Sequence, residues 1–247
     1  MHRADDLIDT TEMYLRCVME LEEDGIVPQR ARIAGRLGHS FPTVSQTVAR
    51  MQRDGLAAVS GGRRIELTPE GRSAAVRVMR KHRLAECLLA DVIGLDWPLV
   101  HEEACRWEHV ISEAVERRVL GILGYPAYSP YGNPIPGIAE LGHHQASGTS
   151  PEPTALSELP TTTGRAVIRR FGEPIQSDIA LLTRLQDARI RPGCTVTVSR
   201  TAHGIQIGTA APGIELDQAT AAHIFVTSDD TGLTGQDRVR EPGLQAH

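Results

Sequence analysis

The sequence predicts a mainly α-helical chain that ends in a small β-barrel, and three observations carry that expectation. Apolar residues between Thr10 and Leu123 recur at the three- and four-residue spacing of amphipathic helices. From Tyr125 to Pro160 the chain turns to Pro, Gly, Ser and Thr, which mark turns and linkers. Beyond it, stretches such as Thr195-Val196-Thr197-Val198 alternate apolar and polar side chains, the period of a half-buried strand. A chain of 247 residues exceeds the usual size of one core, so two or three modules are expected.

Asp9-Thr10-Thr11-Glu12 offers N-caps to a first helix with apolar positions Met13, Tyr14, Cys17, Val18 and Leu21, closed by Glu22-Glu23-Asp24 and Gly25. A short helix follows from Arg30 to Leu37 and stops at Gly38. Ser40 caps a third helix with Pro42 in its first turn, where the missing N–H removes no bond; Val44, Val48 and Met51 face inward and Gly55 ends it. Helix, glycine turn and capped helix, with Thr43, Ser45, Gln46 and Arg50 outward, is the arrangement of a helix-turn-helix, whose second helix enters the major groove of DNA. Next come Ala57-Ala58-Val59-Ser60, a Gly61-Gly62 turn and Arg63-Arg64-Ile65-Glu66-Leu67, which form a basic-tipped hairpin, or wing.

Any three-helix core can imitate a helix-turn-helix, so the charge pattern has to weigh in. The whole chain carries a net charge of -5. Between residues 27 and 72, however, Arg30, Arg32, Arg36, Arg50, Arg53, Arg63, Arg64 and Arg72 face only Asp54, Glu66 and Glu70. Ser45 and Gln46 are then expected to read base edges, and Arg30, Arg32, Arg50 and Arg63 to hold phosphates. Ser40, Pro42 and Thr43, at the start of the same helix, complete the DNA-facing set.

Thr68-Pro69-Glu70-Gly71 starts a long helix running to about Ile93, in which His82 and Glu86 are one turn apart. Gly94-Leu95-Asp96-Trp97-Pro98 breaks it and launches a helix whose decapeptide Val100 to His109 carries His101, Cys105, Glu108 and His109 at i, i+4, i+7 and i+8. Any one of these is more often a buried thiol or a solvated polar group than a ligand; together, on one side of a helix, they form a strip that can grip a metal. His101 lies one turn before Cys105, so it can join His82 and Glu86 at one centre while Cys105, Glu108 and His109 build another. Ser112-Glu113 caps a further helix to about Leu123. Leu88, Leu89, Val92, Trp107, Val110, Val115, Val119 and Leu120 are more apolar surface than these helices can bury alone, which predicts a homodimer.

Residues 144 to 160 read as a linker. Ala166-Val167-Ile168, Thr195 to Val198, Gly204 to Ile207 and His223 to Val226 read as strands, with a helical insertion from Ile179 to Asp187. The stretch from about Ser228 to His247 has no periodicity and is expected to be a disordered tail. Without a long apolar run or a secretion signal, the chain is expected in the cytoplasm with no membrane partner. Cys17, Cys87, Cys105 and Cys194 are scattered without a CxxC pair, so reduced thiols are expected.

The chain resembles the diphtheria toxin repressor family, of the actinobacterial iron-dependent regulator type, from Leu7 to about Val226. The resemblance is strongest in Asp9 to Arg16, Pro42 to Met51, Met79 to Glu86 and Glu103 to His109. It implies domains at 1–75 (winged helix-turn-helix), 76–144 (helical, metal-binding and dimerising), a linker at 145–161, an SH3-like domain at 162–227 and a tail at 228–247. It also implies a primary metal site from Met13, Cys105, Glu108 and His109, and an ancillary site from His82, Glu86 and His101 that Glu173 and Gln176 of the SH3-like domain complete. Phe41, at the start of the DNA-reading helix, stands where relatives carry glycine.

Function follows as an expectation: a homodimeric repressor of iron-homeostasis genes, bound to double-stranded operator DNA with Fe²⁺ as corepressor at two sites per chain. The resemblance also allows two dimers on one operator. Thioether, thiolate and imidazole donors suit a borderline divalent ion and argue against Mg²⁺ and Ca²⁺. By donor type alone Zn²⁺ or Cu²⁺ would outrank Fe²⁺; the resemblance favours Fe²⁺, with Mn²⁺, Co²⁺, Ni²⁺ or Zn²⁺ able to substitute. The alternatives are a manganese-responsive regulator of the same family and, further off, a metalloenzyme, for which the sequence offers no separate general base or substrate pocket.

Overall fold

The structure is a computed structural model that describes residues 2–143, 152–159, 163–209 and 213–228, with side chains from residue 10 onward. Helix α1 spans His2–Glu23. It runs straight through the Asp9 to Glu12 stretch expected to cap it, because residues 2–9 contain neither Gly nor Pro and each further residue adds a hydrogen bond to an existing helix. Helix α2 spans Arg30–Leu37 and ends at a left-handed Gly38, φ 66. Helix α3 spans Phe41–Arg53; the Ser40 hydroxyl accepts the Thr43 N–H, and Val44, Thr47, Val48 and Met51 are buried.

Strands β1 (Ala57–Val59) and β2 (Ile65–Leu67) pair antiparallel as the wing. Its tip is broader than the expected two-residue turn: Gly61–Arg63 form a 3-10 turn in which Gly62 (φ 74) and Arg63 (φ 63) are both left-handed. The side chain of Arg63 makes that backbone region unfavourable, so the tip holds its arginine against a local preference.

Helix α4 (Pro69–Cys87) starts from the Thr68 cap and passes into a π-helical turn over Leu88–Ile93 that a left-handed Gly94 closes. Helix α5 spans Trp97–Trp107, so Glu108 and His109 lie on the turn just past its end, Glu108 still in helical conformation with φ -55 and ψ -31. Ser112 caps helix α6 (Glu113–Ile122). Of the apolar residues expected to need a partner, Leu89, Val119 and Leu120 are buried within the chain, whereas Val92, Val110 and Val115 are exposed.

The third module is a six-stranded antiparallel sheet of order β3-β8-β4-β5-β6-β7. Its strands are β3 (Thr154–Ala155), β4 (Thr163–Phe171), β5 (Thr195–Arg200), β6 (Ile205–Gly208), β7 (Ile214–Leu216) and β8 (Ile224–Ser228). Between β4 and β5 lie helices α7 (Glu173–Gln176) and α8 (Ile179–Asp187), and α9 (Gln218–Ala221) precedes β8. Two strands depart from expectation. β7 is too short to show a period, and β3, with the fully buried Leu156 after it, falls in the stretch read as a linker. The proposed tail lies outside the described residues from residue 229 on.

The Pro- and Gly-rich stretch after α6 is a wedge between modules. Tyr131 is fully buried and stacks on Trp97 at 5.2 Å, while its hydroxyl donates to the Trp97 carbonyl at 2.8 Å. The Asn133 amide donates to the Phe171 carbonyl at 2.9 Å, and the Phe171 N–H donates to the Tyr131 carbonyl at 2.9 Å. Trp97, Val100, Ala104 and Tyr131 thereby share one continuous core with Phe171, Ile175 and the inner face of the sheet. Tyr14, Val18, Val44, Val48 and Met51 form the separate core of the N-terminal module.

Candidate metal centre

Helices α4 and α5 bring the predicted donors together at the junction of all three modules. On α4, His82 Nε2 lies 2.9 Å from Glu86 Oε1, as one helical turn allows. From α5, His101 Nδ1 reaches the same Glu86 oxygen at 3.2 Å, and its Nε2 lies 3.6 Å from Cys105 Sγ. Ligand atoms of His82, His101 and Cys105 all fall within 4.8 Å of one another. Glu108 Oε2 is 2.6 Å from His82 Nδ1, and Glu108 Oε1 is 3.3 Å from His109 Nε2. The two donor sets expected from the sequence are therefore contiguous, joined through His82, Cys105 and Glu108.

The third module reaches the same place. Glu173 Oε1 is 3.9 Å from His101 Nε2, and Glu173 also pairs with Arg36 at 3.4 Å. Gln176 is buried, donates to the Phe171 carbonyl at 2.7 Å, and shares a narrow cavity with Glu20, His82 and Glu173. Met13 behaves differently: it is half-buried and packs on the core of the N-terminal module. Its neighbours on α1 reach the donors, two directly and one through the other.

Those neighbours are Glu12, Arg16 and Glu20, which the sequence reading did not single out. Glu12 Oε2 lies 2.7 Å from His109 Nδ1. Arg16 is buried, its Nη1 within 2.5 Å of Glu108 Oε2, 2.8 Å of His82 Nδ1 and 3.3 Å of Cys105 Sγ. Arg16 Nε pairs with Glu20 at 3.3 Å. A signal was present in the i, i+4, i+8 spacing of Glu12, Arg16 and Glu20, but such a stripe on a surface helix is ordinarily solvated.

Burial sets the electrostatics. It pushes the Cys105 thiol up, but Arg16 and His101 beside it more than offset this and bring it down to about 6, favouring the thiolate that a metal needs. Burial works against protonation of His82, yet Glu86 and Glu108 raise it to about 9. Glu86 and Glu108 are held below the usual carboxylate range against the effect of burial, Glu86 by His82 and His101 and Glu108 by Arg16 and His82. Burial raises Glu20 to about 7 in spite of Arg16. Glu86 Oε2 is buried with no hydrogen-bond partner, while Oε1 of the same carboxylate lies against His82 Nε2 and His101 Nδ1. Such an oxygen among nitrogen and sulfur donors fits a borderline divalent ion.

The residues expected to face DNA are exposed in the main. Ser40, Pro42, Thr43 and Gln46 are exposed on the first turns of α3, with Phe41 beside them at 56 % exposure. Ser45 is half-buried, as is Arg50, which donates to Thr11 Oγ1 at 3.1 Å and so ties α3 to α1. Arg32 is exposed near α2's start beside the half-buried Arg30, and Arg63 stands exposed on the wing. Two arginines of the local excess have other tasks: Arg36 pairs with Asp24 and Glu173, and Arg72 pairs with Glu22.

Comparison with known proteins gives a consistent picture. The pattern of the iron-dependent repressor N-terminal DNA-binding domain matches residues 6–64, and that of the iron-dependent repressor metal-binding and dimerisation domain matches residues 68–137. The chain is 56 % identical over 207 residues to the iron-dependent repressor IdeR of Mycobacterium tuberculosis, spanning 81 % of this chain and 87 % of that protein. To the diphtheria toxin repressor of Corynebacterium diphtheriae it is 52 % identical over 193 residues, 78 % of this chain and 85 % of that one. Among solved structures it is similar to a manganese-dependent transcriptional repressor in complex with manganese, with a TM-score of 0.73 and 26 % identity over 88 % of this chain and 99 % of that one.

Proposed function

This chain belongs to the iron-dependent repressor family, and from that premise we infer a metal-dependent, DNA-binding transcriptional repressor that acts as a dimer on operator DNA. One observation carries the mechanism: the donors of α4 and α5 are wired directly into α1, the helix on which the DNA-binding module is built, through Arg16 and Glu12. Whatever pulls on Cys105, Glu108 and His109 therefore moves α1, and with it α3.

We assign the primary site to Met13, Cys105, Glu108 and His109, and the ancillary site to His82, Glu86, His101, Glu173 and Gln176. A bound divalent ion would supply concentrated positive charge and directional bonds to these donors. The residues do the rest: Met13 would bring the first helix, Glu173 and Gln176 would bring the third module, and α4 and α5 hold the rigid frame. With the recognition helices of a dimer free to sample several spacings, fixing α1 against α5 through these donors would select the one that matches half-sites about 34 Å apart. Exposed Val92, Val110 and Val115 supply apolar surface for the dimer contact.

Within this reading the ion is Fe²⁺, the modules divide at 1–75, 76–144 and a third beginning by 154, and the cytoplasm is the place of action. No helix among the described residues is long and apolar enough to cross a membrane. The manganese-dependent neighbour keeps a manganese reading in play. Anaerobic footprinting of a promoter library with Fe²⁺, with Mn²⁺ and with chelator tests both. Protection with Fe²⁺ at lower concentration than with Mn²⁺ is the expected result, and Cys105→Ala or His109→Ala should abolish it in a folded protein. Metal-independent protection, or protection retained in either variant, would overturn the assignment.

A further inference from the structure

Arg16 is the group at the centre that metal binding leaves unexplained. It is 5 % exposed, and α1 places its guanidinium in the middle of the donors. One nitrogen, Nη1, contacts Glu108 Oε2 at 2.5 Å, His82 Nδ1 at 2.8 Å and Cys105 Sγ at 3.3 Å. The Cys105 sulfur and the Glu108 oxygen are lone-pair atoms that a divalent ion would also use, whereas His82 Nδ1, 2.6 Å from Glu108 Oε2, donates its proton to that carboxylate and meets Arg16 as a like charge. A guanidinium has five N–H donors and no acceptor, and it does not lose its proton in proteins, so Arg16 cannot itself become a ligand. Two cations gathered around the same thiolate and carboxylate in a low-dielectric site also repel each other.

Resting on the metal reading above, we propose that Arg16 is a tethered competitor of the metal: its guanidinium holds Cys105 and Glu108 until a divalent ion takes their lone pairs and drives it towards Glu20. Glu20 stands one turn further along α1, already within 3.3 Å of Arg16 Nε and buried with it, so the displaced charge keeps a partner without leaving the interior. Metal would thus exchange an ion pair that spans α1 and α5 for one within α1. An ion too weakly held to win that exchange leaves the centre as it is, which sets a threshold on the metal response and makes Arg16 a determinant of metal affinity.

Two measurements on the full chain test this, one of which needs no variant. The first titrates wild-type protein with Zn²⁺, a diamagnetic ion, and follows the Arg16 guanidinium by side-chain ¹⁵N NMR together with metal stoichiometry. The expected result is that the Arg16 signals shift and their protons exchange faster as the first equivalents bind. Signals unchanged at full Zn²⁺ occupancy would overturn the proposal, whereas a wild-type chain that takes up no ion would defeat the metal reading itself. The second compares Co²⁺ affinity through the thiolate-to-cobalt absorption band in wild type, Arg16→Lys and Arg16→Met. Losing a charge-assisted competitor should tighten Co²⁺ binding to Arg16→Met by roughly tenfold to a hundredfold, with Arg16→Lys in between. Equal or weaker Co²⁺ binding by a folded Arg16→Met protein would overturn it, and a variant that does not fold leaves the decision to the NMR titration.

Discussion

Asp24, the residue immediately after α1, is the clearest place to test how the third module is fastened. Its carboxylate accepts from Arg170 on β4 at 2.9 Å and from Arg36 on α2 at 3.3 Å, and it lies 3.4 Å from His223 on the turn just before β8. Asp24→Asn keeps the shape, removes the charge and turns an amide donor towards these cations. Removing one partner of a buried pair costs ~3–5 kcal/mol when nothing replaces it. Here Arg170 keeps the Glu23 carbonyl at 2.7 Å and the Phe225 ring at 3.4 Å, and Arg36 keeps Glu173 at 3.4 Å. A loss of about 2–3 kcal/mol is therefore expected, which is roughly thirty- to a hundred-and-fiftyfold in the docking equilibrium. Trp97 is the reporter, since Phe171 at 5.8 Å and Arg191 at 4.7 Å, both from the third module, bear on its ring. In a Trp107→Phe background, urea titration should move the Trp97 transition to lower denaturant while the helical circular dichroism of the other modules holds. A Trp97 midpoint equivalent to wild type within about 0.5 kcal/mol would refute the reasoning. The pH dependence has a definite sign. Burial raises the Asp24 carboxyl, but His223, Arg170 and Arg36 prevail and hold it below its ordinary 3.8. Its contribution is thus complete above that value and fades as pH falls through the lower folded one, and Asp24→Asn should show no such fade.

Other expectations follow from single contacts. Arg63→Ala should weaken binding to operator and random duplexes alike and flatten the salt dependence by about one unit of slope, while Gln46→Ala should reduce discrimination at one base pair by ~1–3 kcal/mol; fluorescence anisotropy over a salt series separates the two. His82→Ala should raise the metal concentration needed for operator binding without abolishing it, whereas Met13→Ala should uncouple metal uptake from DNA binding, as anaerobic titrations read in parallel with mobility shifts would reveal. Gly132→Ala should cost more than about 3 kcal/mol of thermal stability. Its φ is 82°, and an added β-carbon would sit 2.0 Å from the Arg169 carbonyl oxygen.

What the sequence made legible is the local order. Gly38, Ser40 with Pro42, Thr68, Gly94 and Ser112 each mark a real boundary, because caps and left-handed glycines act within a turn or two of themselves. The ligand strip was legible for the same reason: His101, Cys105 and Glu108 share a face by helix geometry alone. Arg16 was not, since nothing local distinguishes an arginine that will be buried against Glu108, 92 positions away, from one that will face water. The meeting of Glu108 with His82 was not legible either, since only the crossing of α4 over α5 brings the two together. Short strands such as Thr154–Ala155 owe their existence to β8 rather than to their own residues, so periodicity passes them by.

Helix α1 ties these observations into one argument about coupling. One of its faces, with Tyr14, Cys17, Val18 and Leu21, is core to the DNA-binding module. Its other face carries Glu12, Arg16, Glu20 and Glu23, which contact His109, then Glu108 and His82, then Arg16 in turn, and finally Arg83 of α4 at 3.0 Å. Asp24, directly beyond it, takes the third module. A change at the donors is thus delivered along α1 through hydrogen bonds and ion pairs, each with a preferred length and direction. Apolar packing would tolerate a slide of the helix, whereas these contacts either hold or exchange partners. A response that switches between two arrangements of α1, and not one that drifts continuously with metal concentration, is what such an interface delivers.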